Sequence, residues 1–206
     1  MTQVTALILA GGQSSRMGYD KALIDVEGTP LLRRTCEVAL ACTPTVKVVT
    51  PWPDRYQAVV PAAVAFVHEQ FLAQEVPQSH GPLVGLAQGL AQVDSDWVLA
   101  LACDLPHLKA AVLQAWARQL ESLPPTTLAY LPQIKGRWEP LCGFYRRSCL
   151  PLLEAFIQKG GRSFQRWLDQ HPVTVIAEVD PALLFNLNTP GDVASLRQTI
   201  SASGKI

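Results

Sequence analysis

The chain has 206 residues, 49% of them apolar and 17% charged, and its 17 basic residues balance 17 acidic ones. This length suits one domain with a sizeable core, and the composition excludes intrinsic disorder. The balanced charge excludes the overall basic field of a nucleic-acid binder, and no run reaches the ~18 apolar residues of a membrane helix.

In chain order, the apolar run Val4–Ala10 reads as a buried strand. Leu31–Ala41 has helical periodicity and is entered through Pro30. Val46–Thr50 is a short strand stopped by Pro51-Trp52-Pro53, and Val64–His68 is another. Gly81-Pro82 opens a helix over Leu83–Gln92, and Trp97–Cys103 is a continuous apolar strand. Leu108–Ser122 is helical until Pro124-Pro125 breaks the chain. Leu128–Leu131 and Leu141–Tyr145 read as strands around a polar loop, Gln133–Trp138. Helical pieces follow at Ser148–Lys159 and Ser163–Gln170, then a strand at Val173–Val179. Asn186-Leu187-Asn188-Thr189-Pro190 leads into a last helix from Gly191 to about Ile200, within a domain over 1–200 that leaves a loose tail at Ser201–Ile206. Strands alternating with helices predict a single-domain, Rossmann-like α/β fold with a mostly parallel sheet covered on both faces. Ligands of such a sheet bind at the carboxyl ends of its strands.

The N-terminus carries no basic-then-apolar leader. Cys36, Cys42, Cys103, Cys142 and Cys149 include no C-x-x-C pair and suit free thiols, so a cytoplasmic location is expected. The four histidines show no metal-ligand spacing. Between Lys135 and Arg166, seven basic residues face only Glu139 and Glu154. This is either a solvated face or a surface for an anionic second substrate.

The most informative stretch follows the first strand: Leu9-Ala10-Gly11-Gly12-Gln13-Ser14-Ser15-Arg16-Met17-Gly18-Tyr19-Asp20-Lys21. Glycines let backbone N–H groups approach phosphate oxygens without a Cβ in the way. Arg16 and Lys21 add fixed positive charge. The P-loop is excluded because Lys21 is not followed by a hydroxyl residue, and the dinucleotide fingerprint because Gly11, Gly12 and Gly18 have the wrong spacing. A nucleoside triphosphate is the ligand this pattern suits. Asp104 ends the strand over Trp97–Cys103 and so falls at the same sheet edge. A carboxylate there either holds Mg²⁺ bridging triphosphate oxygens or caps the helix that follows. Asn186 and Asn188 carry amides that can ligate a hard cation or bond phosphate oxygens.

The stretch from Leu9 to Lys21, with Gly28-Thr29-Pro30-Leu31 after it, resembles the signature of the molybdenum cofactor guanylyltransferases, the MobA-like branch of the nucleotidyltransferase superfamily. Cys103-Asp104-Leu105-Pro106, Gly81-Pro82-Leu83-Val84-Gly85 and Asn186-Leu187-Asn188-Thr189-Pro190 extend the resemblance over nearly the whole chain. It implies the nucleotide-diphospho-sugar transferase type of fold, with Mg²⁺ on Asp104 and GTP as donor. Leu9, Ala10, Gly11, Gly12, Lys21, Thr50, Glu69 and Asp104 would contact the nucleotide. Gly81, Pro82, Gly85, Arg137, Arg146, Asn186 and Asn188 would contact the acceptor. Arg16, Lys21, Asp104 and Asn188 would carry catalysis. The implied acceptor is molybdenum-bound molybdopterin, whose terminal phosphate attacks the α-phosphorus of GTP and releases pyrophosphate. Transient contact with molybdoenzymes or cofactor-insertion proteins would follow. Two departures stand out. The family tends to carry an asparagine that reads guanine after the second strand, where this chain has Val49-Thr50-Pro51-Trp52, and an aspartate after the third, where it has Glu69. Trp52 could stack on a base or cap the core. Three other functions fit the same residues: cytidylyl transfer to the same acceptor, nucleotidyl transfer to a sugar phosphate, and a non-catalytic nucleotide or pterin carrier.

Overall fold

The computed structural model describes residues 2–12, 20–70, 81–189 and 191–196. Arg16, Ser14, Gly18 and Pro190 of the motifs above lie outside the described residues, as does the tail over 197–206. The first apolar run forms β1 (Val4–Leu9). It lies at the middle of an eight-stranded sheet, with β4 (Val46–Thr50) and then β5 (Ala65–His68) on one side. On the other side follow β6 (Trp97–Ala102), β9 (Cys142–Arg146), β7 (Ala129–Ile134) and β10 (Val173–Ile176). The pairs β1–β4, β4–β5, β1–β6 and β7–β10 are parallel, as the alternation of elements predicts.

β9 departs from that expectation. It runs antiparallel between β6 and β7, because the chain reaches it through a hairpin rather than a helical crossover. The segment read as a polar loop is that hairpin: the end of β7, a tight turn with Lys135 at φ 49° and Gly136 at φ 76°, and β8 (Arg137–Trp138). Two consecutive positive φ values give the primed turn whose twist matches paired strands. Two further pieces escape the sequence patterns because each is too short to show a period: the ribbon of β2 (Asp25–Val26) with β3 (Thr29–Pro30), and α2 (Pro53–Tyr56).

Alternation along β1 splits the core between two faces. Ala6 and Ile8 face the side covered by α1 (Leu31–Cys42) and α4 (Ala110–Ala117). Leu7 and Leu9 face α3 (Pro82–Leu90), α5 (Leu150–Gln158) and α6 (Phe164–Leu168). A third cluster joins distant parts of the chain: Ile24, Val26 and Leu31 pack with Leu187, Val193 and Leu196. Leu187 is fully buried there, a transfer that contributes about 1.5–3 kcal/mol. Its backbone N–H also donates to the Asp104 carbonyl at 3.0 Å. All five cysteines are free. Among the described residues no helix is long and apolar enough to cross a membrane.

Candidate active site

Register places the site. Leu9 is level with Val49 on β4 and with Ala102 on β6, so Ala10, Thr50 and Cys103 leave the sheet at one edge. Thr50 is level with His68, which brings Glu69 to the same edge. A cavity of about 370 Å³ opens there, lined among others by Leu9, Ala10, Gly11, Gly12, Lys21, Glu69, Gly81, Pro82, Asp104 and Asn186. Cys103, Glu139 and Pro140 also line it.

Lys21 ties the site together. Its Nζ lies 3.2 Å from Asp104 Oδ2 and 2.8 Å from Asn188 Oδ1, joining three residues far apart in the sequence. The third hydrophobic cluster explains the meeting: Ile24 lies just beyond Lys21, Leu187 just before Asn188, and both belong to that cluster. Asp104 caps no helix, since α4 begins at Ala110 with Lys109 as its N-cap, so its carboxylate is directed to Lys21 and the cavity. Asn188 is held from behind. The Asp192 carboxylate accepts from the Asn188 and Thr189 N–H groups at 2.8 Å each, and Asp192 N–H donates back to Thr189 Oγ1. This is the reciprocal helix cap of a Thr-x-x-acid start. These N–H donors hold the Asp192 carboxyl below its ordinary 3.8. A depressed value means that the clamp is fully formed above pH 3.8 and is lost as pH falls through the folded-state value.

Asp20 has a role that the sequence reading missed. Its Oδ1 accepts from Ala22 N–H, which starts the turn carrying Lys21, while Oδ2 accepts from the Tyr56 hydroxyl at 2.7 Å and from Arg55 at 3.2 Å. The loop that carries Lys21 is thus pinned to α2. Burial, then Asp20 itself, pushes the Tyr56 hydroxyl up, which keeps it a donor. The signal in the sequence was an acid directly before the lysine, but its partners, Arg55 and Tyr56, lie on a helix too short to be read.

Glu69 is buried, and its carboxylate is wedged between two glycines. A Cβ on Gly11 would lie 2.5 Å from Oε2, and one on Gly85 would lie 3.3 Å from Oε1. The longer acid therefore fits because both walls lack a side chain. Gly81 has φ 79° and ψ 159°, a region open essentially to glycine alone, and it caps the N-terminus of α3 at the cavity.

Four of the expected contact residues, Thr50, Gly85, Arg137 and Arg146, do not line the cavity. The Thr50 hydroxyl is fully buried, donates to Ala10 O at 3.0 Å and accepts from Trp52 N–H, so it braces the glycine loop and does not face a base. Arg146 pairs with Trp97 at the opposite end of β6, about 16 Å away by strand rise, because β9 runs antiparallel. Its guanidinium lies over the Trp97 ring and donates to Thr127 O. Gly85 packs against the Glu69 carboxylate and does not line the cavity. Arg137 is exposed on β8 and does not line the cavity, though its charge opposes the burial that raises Glu139. Trp52 carries the Arg55 guanidinium 4.7 Å above its ring and does not line the cavity either. Trp52→Ala is therefore expected to leave nucleotide affinity within about twofold in a calorimetric titration; a clear loss would restore the stacking role.

The chemistry this arrangement offers is electrostatic. Burial, and then Asp104, push the Cys103 thiol up, which disfavours the thiolate form. A profile of the MobA-like NTP transferase domain matches residues 6–175. The chain belongs to this family. It is 53% identical, over 96% of its own length and 92% of the relative's, to a protein of Nostoc sp. named probable molybdenum cofactor guanylyltransferase. A molybdenum cofactor guanylyltransferase of Vibrio cholerae is 30% identical, over 91% of this MobA-like chain and 88% of that one. In fold, the chain is similar to a crystal structure from Archaeoglobus fulgidus, molybdopterin-guanine dinucleotide biosynthesis protein A. The TM-score is 0.75 at 22% identity, over 96% and 99% of the two chains. The mixed, mostly parallel sheet with helices on both faces is thus the nucleotidyltransferase architecture.

Proposed function

We propose that this chain transfers GMP from GTP to the terminal phosphate of molybdenum-bound molybdopterin, giving the guanine dinucleotide form of the cofactor and pyrophosphate. The observation that carries this reading is the Lys21–Asp104–Asn188 contact at the mouth of the glycine loop, in a chain 53% identical to a protein named for that reaction. A passive carrier needs the loop but not that triad of charge and amide.

The acceptor phosphate is already a nucleophile near neutral pH, so no protein base is required. The work of the chain is positioning and charge stabilisation. The Ala10–Gly12 backbone faces the triphosphate, and Lys21 holds its charge and that of the leaving pyrophosphate. Among the described residues no group of three or more His, Cys, Asp or Glu is built to hold a metal. The Asp104 carboxylate, with only one oxygen on Lys21, instead suits Mg²⁺, which keeps few protein ligands and takes the rest from substrate phosphates and water. When bound with the triphosphate, Mg²⁺ supplies further neutralisation of its charge.

Glu69 supports guanine as the base. An ionised carboxylate offers only acceptors. Guanine presents the N1–H and N2–H₂ donors to it, whereas cytosine presents one donor beside two acceptors that a carboxylate would repel. The test is calorimetric titration with GTP, CTP and ATP in the presence of Mg²⁺, followed by a pyrophosphate-release assay with the pterin acceptor. GTP is expected to bind about tenfold or more tighter than CTP or ATP, the size of one charge-assisted hydrogen bond. A preference for CTP would keep the mechanism and change the product.

A further inference from the structure

We propose that Gln88, which does not line the cavity, is the positioning residue that sets base selectivity through Glu69. The inference rests on the reading above, that the Glu69 carboxylate meets the base.

The Gln88 amide grips the backbone of a single residue with both of its polar atoms. Its Oε1 accepts from Gln70 N–H at 2.7 Å, and its Nε2 donates to Gln70 O at 2.9 Å. A backbone N–H can only donate and a carbonyl can only accept, so the amide orientation is fixed by its partners. The pair imitates one rung of a strand ladder at a point where β5 has already ended, at His68. The backbone on the other side of Glu69 is fixed by a sheet-like bond, Glu69 N–H to Thr50 O at 2.9 Å. Glu69 is thus held on both flanks: by β4 before it and by α3, through Gln88, after it.

The same helix supplies the wall against which the carboxylate lies. Gly85 and Gln88 are three residues apart on α3, on neighbouring positions of one helix face. One helix therefore fixes the backbone of the acid and the space for its head. This answers the departure at Glu69. Its side chain is one methylene longer than that of the expected aspartate and has one more rotatable bond, so it needs more restraint to hold a carboxylate in one place. Two glycine walls restrain the head, and the Gln88 clamp restrains the backbone from which the stem departs, through Gln70.

The clamp acts on the acid and not on the phosphates, so loosening it is expected to affect base discrimination specifically. Inosine triphosphate (ITP) lacks the guanine N2 amino group and reports one of the two bonds to the carboxylate. The experiment is titration of the full chain and its variants with GTP and with ITP in the presence of Mg²⁺, with kcat and KM for both nucleotides. The natural chain is expected to favour GTP about tenfold or more. In Gln88→Leu, which keeps the volume and removes both bonds, the preference is expected to fall to about threefold or less. KM for GTP is expected to rise about fivefold, with KM for ITP and kcat within about twofold. Gln88→Glu keeps the acceptor for Gln70 N–H, loses the donor to Gln70 O, and is expected to fall in between. An unchanged GTP-to-ITP ratio in both Gln88 variants would overturn the proposal. An equal loss for the two nucleotides would also overturn it, since a merely structural role predicts that pattern. Glu69→Gln separates the two levels of the argument. If it leaves the ratio unchanged, the base reading fails and the proposal with it. If it collapses the ratio while the Gln88 variants do not, the positioning role alone fails.

Discussion

Asp104→Ala is expected to lower turnover by about 10²–10³, the usual cost of removing one preorganised electrostatic contact, without unfolding the chain. The structure explains why the two effects separate. The Asp104 side chain is only 17% exposed, yet it faces Lys21 at the cavity and belongs to none of the three hydrophobic clusters. The bond that anchors the acceptor-side segment here uses the Asp104 backbone carbonyl, which alanine retains. Lys21 keeps its contact to Asn188. A thermal melt near that of the natural chain is therefore expected beside the loss of pyrophosphate release. Asp104→Asn sharpens the test. It preserves an oxygen for Lys21 but removes the negative charge that suits a hard cation. If charge is what matters, the amide is expected to be almost as damaging as alanine. Near-normal turnover in the alanine variant would remove Asp104 from the mechanism, and in the asparagine variant alone would remove its charge.

The parts of this site that the sequence revealed are those written in consecutive residues. β1, β4 and β6 are apolar runs, and their ends bring Ala10, Thr50 and Cys103 to one edge as the alternation of elements implies. What the pattern could not show depends on pairing between distant segments. Arg146 stands only nine residues from Arg137, and both were expected at the acceptor, but an antiparallel strand carries Arg146 to the opposite edge of the sheet from the cavity. Thr50 sits where a base-reading residue was expected, and only the partners of its hydroxyl reveal a brace. The meeting of Lys21 and Asn188 depends on Ile24 and Leu187 joining one hydrophobic cluster, and no local period records that association. Glu69 looked like an imperfect substitute in the sequence. In the fold it is matched to Gly11 and Gly85, two glycines that belong to motifs with other apparent purposes.

Lys21→Ala is the second large effect, expected to weaken GTP binding by about 10–100-fold while leaving guanosine almost unaffected. The distinction follows from where the ammonium lies. It is 3.2 Å from Asp104 and 2.8 Å from Asn188, where the proposed reading puts the phosphates, whereas that reading puts the base at Glu69, between Gly11 and Gly85. Equal losses for nucleotide and nucleoside would instead make Lys21 a structural prop. Lys21→Arg is not expected to rescue. A compact ammonium fits between a carboxylate and an amide oxygen, while a planar guanidinium cannot keep both distances in the same space. Because Lys21 touches Asp104, removing both is expected to cost less than the sum of the single losses. Alanine at Lys21 already leaves the Asp104 carboxylate without that ammonium partner, so part of what the second substitution removes is gone. Binding of GTP to the two single variants and the double variant, at fixed Mg²⁺, measures that coupling. Strict additivity would mean that the 3.2 Å contact links two residues that act independently on the triphosphate.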